Sequence, residues 1–312
     1  MMLSIPLSIH NRSSLLRRAL ESYLWQSLPP AEWEVLLIDD GSTENLSEAY
    51  EAFLGKINLR HVFFDHTRHE RFRRRNPAFK RGDPEDWFKT PALTTNAGSY
   101  LARAPFVGLF HPEVLHAPDN FRRAVDQLKA KEAYLFGKVW LGDRLMNRWL
   151  ESHSSWTQGG WEAFLSDSSA DRLRAFSPSE LYWYCSFLPR RAVQAVGGVD
   201  FEYLDGNSYE DCDFRDRIVR KGFPSVFDPL IQGLHMDHSS ETEAHRIRDS
   251  RWYESERRNE LLYRNRDFGL WTGSPANSSA DWTARECIVQ IVEYGIGSRK
   301  CVSVLQGSGI LA

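Results

Sequence analysis

The stretch 35–42 constrains the fold more than any other part of the chain. It reads Val-Leu-Leu-Ile-Asp-Asp-Gly-Ser, so an apolar run of strand length is followed by two carboxylates, and Gly41 and Ser42 then begin a turn. A continuous apolar run is typical of a strand that is buried on both faces, as in a parallel sheet. Open α/β sheets bind ligands outside the carboxyl ends of such strands. Asp39 and Asp40 are therefore candidate site residues.

The residues around this stretch predict alternating strands and helices. The predicted strands are Leu3–Ile9, Trp33–Ile38 and Leu59–Phe64, and the predicted helices between them end at Leu24 and span Glu44–Leu54. This βαβαβ opening favours parallel strands that are joined by right-handed crossovers. Further along, the periodicity predicts helices over Thr94–Ala104, Pro118–Lys131 and Glu210–Lys221 and a strand over Phe106–Phe110.

Composition and charge exclude several classes of protein. The net charge of -3 argues against a dedicated nucleic-acid binder, which is usually strongly basic. Because no apolar run approaches the roughly 18 to 20 residues that span a bilayer, we expect no transmembrane segment, although peripheral membrane contact stays open. The stretch before His10 is too short for a signal peptide, which predicts a cytoplasmic protein. The four cysteines show no C-x-x-C spacing, so we expect reduced and mostly buried thiols.

A basic segment interrupts the periodicity. Between Arg68 and Arg81 the chain carries six arginines and one lysine, and Glu70 is the one acid among them. Arginines bind diphosphates and anionic glycans in bidentate pairs, but charge runs are also common in solvated loops. Both interpretations stay open.

Several short motifs, in order over residues 1 to about 240, resemble family 2 of the inverting glycosyltransferases, which adopt the GT-A fold. They are His10-Asn11-Arg12, Ile38–Thr43, Thr95–Gly98, His111-Pro112-Glu113, Gly197–Asp200 and Tyr209–Asp213. The resemblance implies an α/β fold with a Rossmann-like nucleotide-binding part, in which helices flank an open mixed sheet and an acceptor-binding subdomain abuts it. The second half, with the later His235, is most similar to galactosyl- and N-acetylgalactosaminyltransferases.

On this resemblance we expect three regions. Residues 1–130 would bind the nucleotide-sugar, residues 131–240 would bind the acceptor and carry the catalytic residues, and residues 241–312 would form a helical extension and tail. The implied reaction moves a hexose-type sugar from a nucleoside diphosphate, with UDP expected, to a hydroxyl of a glycan, lipid-linked or related acceptor. The rival hypothesis is a catalytically silent nucleotide- or carbohydrate-binding relative.

The donor is expected to contact residues near the ends of the first strands and the following helix. Asp40 can accept hydrogen bonds from a nucleobase or ribose, and Asp39 would support it or contact ribose. The alternative is that either carboxylate caps the turn at Ser42. The full set of predicted donor-binding residues is Ser8, His10, Asn11, Arg12, Asp39, Asp40 and Asn96.

A departing diphosphate develops negative charge, so the enzyme must supply a metal ion or cationic donors. The metal-binding Asp-x-Asp of the family is replaced here by His111-Pro112-Glu113, which leaves two hypotheses: a metal site, or a turn that has lost the metal. His111 and Glu113 could converge on one ion, with His235, or less favourably His238, as a third ligand. Imidazole plus carboxylate suits Mn²⁺ at least as well as Mg²⁺.

Glu210 and Asp211 open a predicted helix, where the helix dipole stabilises carboxylates. Inverting transfer needs a base that deprotonates the acceptor hydroxyl. We expect Asp211 to be that base and Glu210 to bind an acceptor hydroxyl. Acids that merely cap the helix are the alternative interpretation.

Overall fold

The computed structural model of the protein describes residues 1–70, 91–152, 158–166, 173–177, 183–205, 208–238, 251–266, 282–298 and 301–305. Most of the basic segment, from residue 71 onward, lies outside these ranges. Within them, no helix is both long and apolar enough to span a membrane.

A single mixed sheet runs through the described residues. Its strands are β1 (Leu3–Ile9), β2 (Trp33–Asp40), β3 (Asn58–Phe64), β4 (Phe106–Leu109), β5 (Val114–His116), β6 (Tyr134–Leu141), β7 (Ser186–Pro189), β8 (Ser225–His235), β9 (Ile288–Tyr294) and β10 (Cys301–Leu305), in the spatial order β10-β9-β3-β2-β1-β4-β7-β6-β8-β5. β1 pairs in parallel with both β2 and β4, and β2 pairs in parallel with β3. The predicted parallel opening is thus confirmed.

The helices of the described residues flank this sheet. They are α1 (Ser13–Leu24), α2 (Ser47–Tyr50), α3 (Pro91–Leu101), α4 (Asn120–Ala130), α5 (Arg144–Ser152), α6 (Gln158–Ser166), α7 (Arg190–Ala195), α8 (Glu210–Arg220) and α9 (Arg251–Asn265). The fold class predicted from the sequence, an α/β open mixed sheet, is confirmed.

The helix predicted over Glu44–Leu54 is shorter than expected. It is the single turn α2, followed by a 3₁₀ turn over Glu51–Phe53. The backbone N–H of Glu44 donates to the side-chain oxygen of Asn11 instead of starting a helix, and the Asn45 side chain accepts from the N–H of Ser47. Such side-chain bonds compete with helix formation and delay the first turn.

β2 is buried on both faces, as its apolar run predicted. Val35 and Leu37 belong to one hydrophobic cluster, which includes residues of α1 and α4, whereas Leu36 and Ile38 belong to a second cluster with residues of α3 and α7. α3 lies very close to the sheet: a Cβ atom at Gly98 would stand 2.5 Å from the Cβ of Pro6. The core therefore fixes the position of the polar residues at the end of β2.

Residues 241–312, predicted as a helical extension and tail, are only partly helical. α9 is a helix, but β9 pairs antiparallel with β3, and β10 pairs with β9. Ile288, Ile291 and Val292 are buried where they cover the side of β3 that would otherwise be an open edge. The boundaries 1–130, 131–240 and 241–312 stay a prediction, and the sheet includes strands from all three regions.

Candidate active site

Polar residues collect at one edge of the sheet, where β1, β2 and β4 end. His10–Arg12 follow β1, Asp39 and Asp40 are the last residues of β2, and His111 lies just after β4. β7 is antiparallel to both β4 and β6, and β6 is parallel to β8, so β8 also ends at this edge with His235. The predicted residues from both halves of the chain thus meet at the carboxyl ends of strands, where α/β sheets bind ligands.

The loops after β1 and β2 are tied together by Asn11. Its side-chain oxygen accepts the N–H of Thr43 at 2.8 Å, and its own N–H donates to the Ser42 hydroxyl at 2.8 Å. Asn11 and Arg12 have φ values of 58° and 64°. Left-handed backbone is uncommon for residues other than glycine and is often found at functional sites. The turn directs the Arg12 side chain toward Glu113.

Asp39 is used within the protein. One carboxylate oxygen accepts the N–H of Ser42 at 2.9 Å, and the other lies 3.2 Å from Nε2 of His61. Burial would raise the pKa of Asp39, but the hydrogen bonds from His61 and Ser42 prevail and lower it. The contacts of Asp39 therefore agree with the alternative interpretation, in which this carboxylate caps the turn at Ser42.

Asp40 is paired with a histidine that the sequence analysis did not find. Its Oδ1 lies 2.8 Å from Nδ1 of His66, and its backbone carbonyl lies 3.1 Å from Nδ1 of His10. His66 follows β3, which pairs with β2, so the two residues are brought together by strand pairing rather than by local spacing. No sequence pattern indicated His66.

Asn96 is the most buried of the predicted donor-binding residues, whereas Ser8 is half-buried. The Ser8 hydroxyl bonds to the hydroxyl of Thr94. Asn96 is fully buried; its Nδ2 donates to the carbonyl of Val199 at 2.9 Å, and its Oδ1 accepts the N–H of Val199 at 2.7 Å. Asn96 therefore joins α3 to the Gly197–Asp200 turn.

Glu113 is surrounded by basic side chains. The residue is 3 % exposed. Oε1 lies 3.3 Å from Arg12, 3.5 Å from His111, 3.5 Å from His238 and 3.8 Å from His235. Burial alone would raise the pKa of Glu113, but the hydrogen bonds of His111 and His238 and the positive charges nearby hold it well below its ordinary value. Glu113 is therefore an ionised carboxylate that lies among one arginine and three histidines.

Three of these residues form a group that fits a metal ion. Ligand atoms of Glu113, His235 and His238 all lie within 4.8 Å of one another. The second carboxylate oxygen of Glu113 is buried and has no hydrogen-bond partner among the residues that the structure describes. Burial lowers the pKa of His235 to about 4, which keeps its imidazole neutral. A neutral imidazole and an ionised carboxylate are the protonation states that bind metals.

His111, which the sequence favoured as a ligand, lies outside the candidate metal group, whereas His238 lies within it. His111 contacts Glu113 but does not belong to the three-residue group, whereas His238, which the sequence favoured less, does. The ring of Tyr184 lies edge-on to both His111 and His235, with centroids 5.1 Å and 4.7 Å away. Tyr184 was not predicted, and it fixes the orientation of two imidazoles.

Glu210 and Asp211 begin α8 and are both buried. Burial, together with the charge of Asp211, raises the pKa of Glu210 to about 8. Burial also raises the pKa of Asp211, against the opposing effects of the Cys212 N–H at 2.8 Å and of the charge of His111. Burial therefore outweighs the stabilisation of the anions that was expected from the helix dipole.

Comparison with known proteins agrees with this geometry. Residues 4–88 match the model of glycosyl transferase family 2. The chain is 26% identical over 265 residues to validoxylamine A glucosyltransferases of Streptomyces hygroscopicus subsp. limoneus and subsp. jinggangensis. Each match covers 78% of this chain, and 53% and 57% of those proteins respectively, so the chain spans about half the length of these curated relatives.

The fold is similar to that of S. aureus TarS, residues 1–349, in its crystal structure with UDP. The TM-score is 0.51 at 14% sequence identity, over 76% of this chain and 61% of that one. The similarity of the second half to galactosyl- and N-acetylgalactosaminyltransferases stays a prediction. The region of β1–β3 thus matches the model of glycosyl transferase family 2, and the described residues have a fold similar to that of TarS.

Proposed function

We propose that the protein is an inverting glycosyltransferase that moves a hexose-type sugar from a UDP-sugar to a hydroxyl of a glycan, lipid-linked or related acceptor. One observation carries the proposal. His111 lies 3.5 Å from Glu113, and its charge also lowers the pKa of Asp211. The link through His111 supports placing the candidate metal group and the carboxylate pair in one site, as transfer from a diphosphate to a hydroxyl requires.

The donor would bind where β1 and β2 end. Asp40 is the candidate for recognising the base, because Asp39 already uses both carboxylate oxygens within the protein. His10 contacts the backbone carbonyl of Asp40, and Arg12 follows on the loop that Asn11 holds. The two curated relatives are named as glucosyltransferases, so UDP-glucose is the first donor to test and validoxylamine A is one acceptor to include.

Glu113, His235 and His238 would hold a divalent cation, with Mn²⁺ favoured over Mg²⁺ because two of the three ligands are nitrogen. Once bound, the cation would stabilise the negative charge that develops on the departing diphosphate. Arg12 contacts the carboxylate of Glu113 and supplies a second positive charge, which comes from the protein itself.

The carboxylate pair would carry out the proton transfer. Asp211 accepts the proton of the acceptor hydroxyl while the acceptor oxygen bonds to the anomeric carbon. The bond from that carbon to the diphosphate oxygen breaks on the opposite side, the electron pair leaves with the diphosphate, and the configuration inverts. A raised pKa strengthens Asp211 as a base. Glu210, protonated below a pH of about 8, can donate a hydrogen bond to an acceptor hydroxyl.

A donor panel tests the proposal: UDP-glucose, UDP-galactose, UDP-N-acetylhexosamine and GDP-mannose, each with Mn²⁺ or with EDTA. We expect turnover of a UDP-sugar that EDTA abolishes. Asp211→Asn should reduce transfer by about 10²- to 10⁴-fold while leaving donor affinity nearly unchanged, as for loss of a general base. Glu210→Gln is the matched control and should weaken acceptor binding more than the chemical step.

Two results count against the proposal. Binding of UDP without turnover of any donor would favour the silent-relative hypothesis. Normal transfer by both Asp211→Asn and Glu210→Gln would remove the base from this helix.

A further inference from the structure

Helix α9 carries a fully buried asparagine that is bonded to the chain leading into α8. Nδ2 of Asn259 donates to the carbonyl of Tyr203 at 3.2 Å and to that of Ser208 at 3.0 Å. Burial of an amide costs free energy unless it is hydrogen-bonded. The bond to Ser208 holds the backbone just before the helix that bears Glu210 and Asp211, and the bond to Tyr203 holds the preceding 3₁₀ turn.

The backbone that Asn259 holds is strained. Ser208 and Tyr209 have φ values of 66° and 68°, and neither is glycine. Residues in this region persist where their surroundings hold them, and they cluster at functional sites. Glu210 follows directly and begins α8. The direction in which Glu210 and Asp211 project therefore depends on a conformation that needs external support.

Two further bonds connect the α9 region to the body of α8. The hydroxyl of Tyr263 donates to Asp216 at 2.8 Å. Arg266, which follows α9, lies 2.9 Å from Asp213 and 2.6 Å from Asp200. α9 and the residue that follows it thus contact α8 and its entry at Ser208, Asp213 and Asp216.

We propose that Asn259 is a positioning residue for the transfer reaction, acting through the backbone of Ser208 and Tyr209 on the base-bearing start of α8. The inference rests on the function proposed above. Apart from Asn96 on α3, the candidate donor and metal residues come from β1, β2, β8 and the turns after β1, β4 and β8, and the three bonds from the α9 region described above do not reach them. The chemical step, and not donor or metal binding, should therefore depend on Asn259.

The test compares Asn259→Ala and Asn259→Asp with Leu261→Ala, a change at a 48 % exposed position of the same helix. Asp keeps the shape of Asn but cannot donate to the two carbonyls. We expect kcat to fall about 10- to 100-fold in both Asn259 variants, since a 1 Å misplacement can cost about 10²-fold. Donor KM and the Mn²⁺ concentration at half-maximal activity should stay within about twofold, and Leu261→Ala should match the wild type.

A readout that needs no turnover accompanies the kinetics. Amide hydrogen exchange over residues 208–213 should be faster in the Asn259 variants and unchanged in Leu261→Ala. If Asn259→Ala does not fold, Tyr263→Phe, which loses one hydroxyl, should lower kcat by about 3- to 10-fold at constant donor KM.

Several outcomes would overturn the positioning role: wild-type kcat in a folded Asn259 variant, wild-type kcat in Tyr263→Phe where Asn259→Ala does not fold, or parallel losses of kcat, donor binding and Mn²⁺ affinity. Parallel losses of kcat, donor binding and Mn²⁺ affinity would indicate that the substitution loosens the structure generally. A wild-type protein that turns over no donor instead refutes the proposed function, so the two failures are distinct.

Discussion

Glu113→Gln separates a metal site from an inert cluster of basic residues. The substitution keeps the size and shape of the side chain and removes its charge and one carboxylate oxygen. If Glu113, His235 and His238 bind Mn²⁺, the wild type should be stabilised by the metal and the variant should not be. The measured quantity is the midpoint of thermal unfolding with and without Mn²⁺.

The size of the effect follows from ligand linkage. Metal at 100 times its Kd adds about 2.7 kcal/mol to the free energy of unfolding. At about 2–4 °C per kcal/mol, the wild-type midpoint should rise by about 5–10 °C. Without metal, Glu113→Gln should itself cost about 3 kcal/mol, the lower end of the range for breaking a buried ion pair, because the Arg12 side chain is 29% exposed and can turn toward solvent.

Glu34→Gln is the matched control. Glu34 is another buried carboxylate, 2.9 Å from Arg60, but it lies near the start of β2, away from the candidate site. It should lower the midpoint without metal and keep the full Mn²⁺ shift. An equal Mn²⁺ shift in Glu113→Gln and the wild type, or none in the wild type at saturating metal, would refute the assignment of the metal group.

Three other predictions follow from the buried polar residues. Asp40→Ala should weaken UDP binding by about 1 to 3 kcal/mol in calorimetry, whereas Asp39→Asn should mainly lower stability; unchanged UDP affinity in Asp40→Ala removes it from the site. Asn96→Ala should lower the free energy of unfolding by about 2–4 kcal/mol in urea titrations, because Val199 loses two hydrogen bonds in the interior. For Glu210, burial raises the pKa from 4.5 to about 8, so its contribution to stability is present below pH 4.5 and is lost as the pH rises through 8. The stability of Glu210→Gln relative to the wild type should therefore increase from pH 5 to pH 9, and a difference independent of pH would contradict the burial argument.

Local patterns predicted the elements that depend on local physics. The apolar run of β2 is buried on both faces, and the alternation of strands and helices before residue 64 is the observed parallel opening. Hydrophobic periodicity depends on neighbouring residues, so one sequence is enough to detect it. The helix predicted from Glu44 was too long. The backbone N–H of Glu44 donates to the side-chain oxygen of Asn11, which lies on a different loop, and this bond delays the start of the helix.

Local patterns could not predict contacts between residues that are distant in sequence. Asp40 and His66 are separated by 26 residues and meet because β2 and β3 pair. Asn259 reaches Ser208 across 51 residues, and β9 covers β3 from the far end of the chain. Each of these contacts depends on the packing of separate elements, and a single buried histidine or asparagine has no periodic signal.

The candidate metal group shows how strand pairing changes an inference from spacing. The turn at His111-Pro112-Glu113 suggested that two residues two positions apart would share an ion. In the fold, β5 pairs antiparallel with β8, so Val114 lies opposite His235, and the N–H of Met236 donates to the carbonyl of Glu113 at 2.7 Å. This register brings His235, and His238 after it, to the Glu113 carboxylate. His111 remains in contact with Glu113 from the other strand end while its charge acts on Asp211. The residue predicted as a ligand therefore contacts Glu113 and acts electrostatically on Asp211, and it links the two groups that the proposed reaction would use, one for the leaving diphosphate and one for the acceptor proton.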